Sequence, residues 1–446
     1  MEDPVELLKE LIRIDTTNPP GAEAALLDCL ERKLANAHLP FARQETAPGR
    51  GNLISRLKAD GEITLPPLVL LSHTDVVAAD PSQWLYPPFE AREDEKGFIH
   101  GRGAVDTKQL TAMELCAYEA LAKTPGRCRD VYFLATCDEE SGSTYGLQAF
   151  LKGSVTLEGE TLRGEEILRS SDVISEGGGF PILAGGKLFY LCSEGGGFPI
   201  LAGGKLLYLC ESGQKGCGTV RFTVKARKAK GPFFGSGDGM ARAMALAEDI
   251  GSTVLEERTL ETVKAFEERL AGAALSPMME KILLAMKHNT MTVTMVSGKN
   301  VNTVQVTCDV RLLPGYGRDY LEGVLEKLAQ KWDCDYEILS LSQGYEANPE
   351  SVLLGQLERA TQEALGDPKA QILPFVSMGS SDGRFLTGLG ARVYGYSPVY
   401  LWDMTFDTAV TMVHGVNERI HKDSVRLGTD VLSRAAVYAV KEELKK

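Results

Sequence analysis

The chain is expected to be an α/β protein, with a largely parallel sheet flanked by helices and a smaller α+β domain inserted into it. Three observations carry that expectation. Nearly continuous apolar runs, Leu65 to Ser72 and Asp130 to Thr136, are the mark of strands buried on both faces of a sheet. Helical patterns alternate with those runs through the first third of the chain. The middle then changes character, to strands whose apolar residues alternate.

In order, Val5 to Ile14 has apolar residues at helical spacing, opened by Asp3-Pro4 and stopped by Thr17-Asn18-Pro19-Pro20-Gly21. A second helix, Glu23 to Ala37, precedes a strand around Asn52 to Leu57, and Gln109 to Leu121 is helical again. In the middle, Val220 to Ala226, Thr290 to Val296 and Val304 to Leu312 read as half-exposed strands. Helices near Met240 to Ile250 and Leu260 to Leu270 lie between them. The helix Pro349 to Leu365, the strand Ile372 to Val376 and the helix Val425 to Leu444 return the chain to the first layer. The resulting division is residues 1–212 and 343–446 for the α/β domain and 213–342 for the insertion. Residues 175–192 recur almost unchanged as 193–210, with only Phe189 against Leu207 different. One repeat is no solenoid, so one copy has to be accommodated as an inserted hairpin.

Composition narrows the function. The formal charge of −13 disfavours nucleic acid and anionic membranes, which reward a basic face. No apolar run is long enough to span a bilayer, and the first helix interleaves charges that a secretory core lacks. Nine cysteines without regular spacing or a Cys-x-x-Cys pair read as reduced thiols, which places the chain in the cytoplasm.

The chemistry-bearing candidates fall where strands end. His73 sits in Ser-His-Thr-Asp75 directly after a buried strand, a pattern that suits a metal ligand oriented by an acid, or a satisfied structural histidine. Asp106, in Gly-Arg-Gly-Ala-Val-Asp-Thr-Lys, reads on its own as a helix cap. Asp138, Glu139 and Glu140 stack three carboxylates after a strand, where they repel unless cations sit among them. Glu176, its duplicate Glu194 and His414 complete the set. Together, two histidines and several carboxylates at strand ends make a two-metal hydrolytic site.

The motifs Leu71-Ser-His73-Thr-Asp75, Trp84 through Pro88-Phe89, Gly101 to Lys108, Asp138-Glu139-Glu140, Ser175-Glu176-Gly-Gly-Gly, Gly379-Ser-Ser-Asp382, Tyr394-Gly395 and His414-Gly-Val-Asn-Glu418-Arg resemble the co-catalytic zinc peptidases. That family includes acetylornithine deacetylase, succinyl-diaminopimelate desuccinylase, aminoacylase, glutamate carboxypeptidase and the bacterial dipeptidases. The resemblance implies a zinc-exopeptidase-like sheet with an inserted lid that forms a homodimer. It implies two divalent ions, zinc or else cobalt or manganese. His73 and Glu176 would hold one, Glu140 and His414 the other, and Asp106 would bridge them. Asp75 would orient His73 and Glu139 would be the general base. The reaction implied is attack of a metal-bridging hydroxide on the amide of a small N-acyl amino acid or dipeptide, without a covalent intermediate. Glu176 is preferred to Glu194 because Ser171 to Glu176 carries the lead-in strand. Glu194 stays an alternative because Glu211-Ser-Gly-Gln-Lys-Gly216 follows the second copy.

The lid departs from the family. Where members place a histidine that supports the oxyanion, Gly231 to Gly237 has none, and the run after Asn302 is about four residues short. Asn302 and Arg311 remain candidates for gripping a substrate carboxylate, and His288 is a helix-end histidine or a substitute. These departures raise a second reading, a catalytically weakened paralogue that binds amino acids or peptides around stabilising metals. A third reading takes Gly379-Ser-Ser381-Asp-Gly383 as a serine-hydrolase elbow with Asp407 and His414. It leaves too little chain between nucleophile and acid, and it leaves the front half unexplained.

Overall fold

The computed structural model describes residues 2–185, 187–193, 196–202, 205–227, 238–300 and 302–441. Glu194 and the Gly231–Gly237 segment lie outside the described residues. The expected α/β architecture is present. The main sheet follows the spatial order Phe41–Ala47, Arg50–Leu57, Val131–Thr136, Leu68–His73, Asp172–Ser175, Arg392–Gly395, Lys205–Gln214 and Pro181–Ala184. Tyr345–Glu346 and Gln371–Ser377 also pair with Lys205–Gln214. The centre is parallel: Val131–Thr136, Leu68–His73, Asp172–Ser175 and Arg392–Gly395 run side by side in one direction. Antiparallel strands close the margin, Arg50–Leu57 against Val131–Thr136 and Phe41–Ala47 beyond it.

Every residue of Leu68–His73 and of Val131–Thr136 is buried, which is why both read as unbroken apolar runs. One face is covered by the helices Pro4–Ile12, Lys108–Ala122, Val352–Leu365 and Lys422–Lys441, whose apolar stripes merge with the sheet in one core. Lys108–Ala122 is buried almost all round, because it is packed between the sheet and the terminal helices. Short helices Leu147–Lys152 and Gly164–Leu168 cover the opposite face.

A second sheet has the order Thr290–Asn300, Thr303–Leu312, Gly216–Lys225, Asp335–Leu341, all antiparallel. The helices Gly239–Ser252 and Arg318–Trp332 share its core. Glu261–Leu270 and Pro277–Ala285 fall between those strands in sequence, yet they pack on Leu207, Leu209, Leu373 and Phe375 of the main sheet.

The duplicated segment is accommodated as an extruded hairpin. Pro181–Ala184 from the first copy pairs with Lys205–Tyr208 from the second. The remaining halves, Lys187–Ser193 and Gly196–Ala202, pair with each other as a separate two-stranded ribbon.

Candidate active site

Three neighbouring parallel strands end at one edge of the sheet, so the residues just past their ends converge, as ligand sites do in open α/β sheets. His73 is the last residue of its strand, Glu139 and Glu140 follow Val131–Thr136 after a short turn, and Glu176 follows Asp172–Ser175 directly. Asp106 arrives from the loop before Lys108–Ala122, and His414 from the loop after Phe406–Met412.

The His73 Nδ1 lies 3.0 Å from the Asp75 carbonyl and 3.5 Å from its carboxylate. Its Nε2 is thereby aimed at Asp106 Oδ1, 3.2 Å away, and at Glu176 Oε2, 3.4 Å away. The other oxygen of Asp106 lies 3.1 Å from His414 Nε2, which is also 3.0 Å from Glu140 Oε2. Asp106 therefore divides its two oxygens between two imidazoles, each of which faces a further glutamate. Glu139 stands beside this arrangement, 9 % exposed, with Arg384 Nη1 donating to it at 3.1 Å. His73, Asp75, Asp106, Glu139, Glu140, Glu176 and His414 thus meet in one place. Two donor groups recur, His73 with Glu139 and Glu176, and His73 with Asp106 and Glu140.

The electrostatics express one fact: five carboxylates, Asp75, Asp106, Glu139, Glu140 and Glu176, share two imidazoles and one guanidinium. Burial would lower the His73 imidazole, but Glu176, Asp106 and Asp75 hold it well above the ordinary range. Burial opposes ionisation of Asp106, yet hydrogen bonds from both imidazoles keep it well below the usual carboxylate range. Hydrogen bonds to Asp106 and Glu140 raise His414 to about 10. Burial pushes Glu139 well up, and the nearby charge of Glu176 adds to it. Burial likewise raises Glu176.

A cation fits this donor set. The buried Oε1 of Glu140 has no hydrogen-bond partner, and imidazole nitrogens with carboxylate oxygens are the donors zinc, cobalt and manganese accept.

Several supporting residues carried no assigned role in the sequence. Asp75 is fixed by Asn18 Nδ2 at 2.8 Å and by the backbone N–H groups of Glu139 and Glu140. Glu418 accepts from Arg102 Nη1 at 2.7 Å and from the backbone N–H of Gly103 and Asp106, which sets the loop that carries Asp106. The Arg102 guanidinium lies over the Trp84 ring at 5.1 Å, so that motif tryptophan serves the same loop. Asp138 turns away to pair with Arg50 at 3.0 Å, so only two of the three adjacent acids face the site. Glu418 and Asp382 lay inside recognised motifs, whereas nothing in the sequence singled out Arg384 or Asn18.

The lid candidates are placed differently. Arg311 pairs with Asp309 at 2.9 Å and donates to the Met378 carbonyl, at the base of the second sheet. Asn302 lies beside Thr303, at the tip. From the Arg311–Cys217 pair to the Thr303–Lys225 pair is eight residue steps, about 27 Å at about 3.4 Å per residue. The two cannot grip one carboxylate within a chain. His288 pairs with Glu257 at 3.2 Å and is not at the cleft.

The serine-hydrolase arrangement does not form. Ser381 Oγ donates to Gln214 and Glu211 rather than to an imidazole, and Asp407 accepts from Ser276. His414 faces Asp106 and Glu140 instead.

Comparisons with known proteins give the family and the fold. Residues 69–438 match the pattern of peptidase family M20/M25/M40. The chain is 23% identical over 436 residues to aminoacylase-1 of Pongo abelii, covering 96% of this chain and 93% of that one. An M20 family metallo-carboxypeptidase from Sulfolobus solfataricus shares its fold with a TM-score of 0.68 at 18% identity, over 98% of this chain and 99% of that one. A dinuclear metal binding peptidase of Bacillus subtilis gives a TM-score of 0.58 at 10% identity, over 98% of this chain and 97% of that one. With most of its length matched, the chain belongs to peptidase family M20/M25/M40.

Proposed function

We propose that this M20 hydrolase, of peptidase or aminoacylase type, cleaves the amide bond of a small N-acyl amino acid or dipeptide with two divalent ions. The observation that carries the reading is the division of Asp106 between His73 and His414, each backed by a glutamate. His73, Asp106 and Glu176 would hold one ion, and Asp106, Glu140 and His414 the other, with zinc the ion proposed. When bound, the ions supply Lewis acidity toward the amide carbonyl and make a water easier to deprotonate. Asp75 fixes the His73 ring through Nδ1 and leaves Nε2 for coordination. Glu139 is the general base: it takes the proton of the attacking water and returns it to the departing nitrogen. Burial raises this carboxyl above its ordinary range, the direction that makes its carboxylate a stronger base. Arg384 holds that carboxyl in place. A binding protein that has lost its chemistry is not favoured, because this base and all five ligand candidates are brought together.

The reading extends to a cytoplasmic homodimer with the 213–342 insertion as its lid. The eight cysteines other than Cys192 form no disulfide, and among the described residues no helix is long and apolar enough to cross a membrane. Thr290–Asn300 is an edge strand of the lid sheet, open to pairing with a second copy. Sedimentation showing a monomer at micromolar concentration would remove the dimer.

The test is hydrolysis of a panel of N-acyl amino acids and dipeptides after chelation and again after zinc, cobalt or manganese is restored. Turnover should return with metal and fall about 10²–10⁴-fold in Glu139→Gln at unchanged metal content. Wild-type turnover by Glu139→Gln would dismiss it as the base. No turnover from folded protein carrying two ions per chain would overturn the hydrolase reading.

A further inference from the structure

The cleft beside Asp106 and His414 has a volume of about 450 Å³, within the range of small-molecule sites. Its polar side chains are those of Asp106, Glu139, Glu176 and His414, with Thr107, Gln109, Glu211 and Ser397, and those of the serine loop 377–381. The rest of its wall is apolar and is built by separate elements. Helix Pro277–Ala285 contributes Met278 and Ile282, and helix Phe406–Met412 contributes Phe406 and Val410. Each is a pair four residues apart, so each helix turns one apolar face to the cleft. Ser276 Oγ donates to Asp407 at 3.2 Å and so ties the two helices together. Phe180 and Phe375 complete the floor, their ring centroids 6.4 and 6.0 Å from that of Phe406. At the mouth, Met278 and Val410 are 38 % and 44 % exposed, apolar surface that a ligand in the cleft would cover.

Positive charge is the other half of the observation. No lysine or arginine is among the described residues that line the cleft. The cations nearest to it are engaged: Arg384 with Glu139, Arg311 with Asp309, and Lys215 with the carbonyls of Ala285 and His288. A second anionic group on the substrate would enter an apolar chamber beside four carboxylates with no partner, a costly arrangement.

We infer that the substrate carries one bulky apolar group, a long aliphatic chain or an aromatic ring, seated among Phe180, Met278, Ile282, Phe375, Phe406 and Val410. Acidic acyl groups such as succinyl are rejected. This selectivity rests on the amide-hydrolase reading above, and the experiment separates the two.

Two substrate series would be compared with the metal-loaded full chain. In one, the acyl group of an N-acyl glycine lengthens from acetyl to octanoyl, with benzoyl and succinyl alongside. In the other, the side chain of an N-acetyl amino acid lengthens from alanine to norleucine, with phenylalanine alongside. Turnover is read with wild type, and affinity by calorimetry with Glu139→Gln. In one of the series, kcat/KM and affinity should each rise about fourfold per added methylene until the chamber is full. Succinyl should fall at least tenfold below butyryl. Met278→Arg and Val410→Arg change half-exposed side chains at the mouth, so folding is not at risk. Each should reduce the apolar preference about tenfold and raise succinyl. Turnover with flat dependence on apolar length in both series, or with succinyl preferred to butyryl, would overturn the apolar pocket and leave the hydrolase reading standing. Affinity that rises with apolar length without turnover would do the reverse. No binding in either series would overturn both.

Discussion

Glu418 shows how much of the site rests on a residue outside the reacting set. Its carboxylate is wholly buried and accepts from the Arg102 guanidinium and from the backbone N–H groups of Gly103, Val105 and Asp106. Removing it strands a buried cation, so Glu418→Ala should destabilise the chain by about 3–5 kcal/mol in chelator, read by denaturant unfolding. Glu418→Gln keeps the shape but turns a donor toward donors. It should fold yet bind metal about 10–100-fold more weakly in a competition titration, as outer supports of metal ligands do. Metal binding at wild-type strength in Glu418→Gln would show that the Asp106 loop is held by other means. Sequence made the inner residues visible and left these supports obscure for a physical reason. His73, Glu139 and Glu176 each follow an apolar strand, so a polar side chain there stands out as a site at a sheet edge. Arg384 and Asn18 sit in loops with no periodicity, and one arginine or asparagine there resembles any other until the fold sets it against Glu139 or Asp75.

At the scale of elements, strands buried on both faces were legible because burial demands an unbroken apolar run, and Leu68–His73 and Val131–Thr136 supply one each. Helices Pro277–Ala285 and Phe406–Met412, which wall the cleft, escaped notice. At nine and seven residues they span barely two turns, too few for a period to show. The duplication was plain in sequence, but its pairing was not. Pro181 faces Tyr208 in the sheet, while in the extruded ribbon Tyr190 faces Pro199, the same register built from the other halves of the two copies. Removing residues 186–203 takes out one full repeat and joins Gly185 to Gly204. That leaves Pro181–Ala184 and Lys205–Tyr208 connected by a Gly-Gly loop, a favourable two-residue hairpin turn. The deletion should leave Tm within a few degrees of wild type, with unchanged metal content and turnover. Loss of a cooperative transition would mean that the ribbon contributes to the core.

Across the whole molecule, the shift from buried to half-exposed strands marks where the second sheet begins. It says nothing of which helices cover that sheet. Glu261–Leu270 has an amphipathic pattern that demands a partner without naming one, and its apolar face meets Leu373 and Phe375 of the main sheet. The chain therefore passes between the sheets more than once, and Lys215 sits where two passages meet. It follows the main-sheet strand Lys205–Gln214 and precedes the second-sheet strand Gly216–Lys225. Its wholly buried ammonium donates to the carbonyls of Ala285 and His288, just before Thr290–Asn300 enters the second sheet. Burial lowers its pKa to about 8, with Arg311 adding to the effect. A lysine whose folded pKa lies below its unfolded value of about 10.4 burdens the folded state at low pH, where both states carry the charge. Between about pH 8 and 10 the folded state sheds its proton while the unfolded state keeps it, so stability rises with pH over that window. Measured by denaturant unfolding, wild type should gain up to about 3 kcal/mol relative to Lys215→Met on going from pH 7 to pH 10. The comparison with Lys215→Met cancels the general repulsion of an acidic chain at high pH. Parallel pH profiles for the two proteins would show that this ammonium is not held between the two passages.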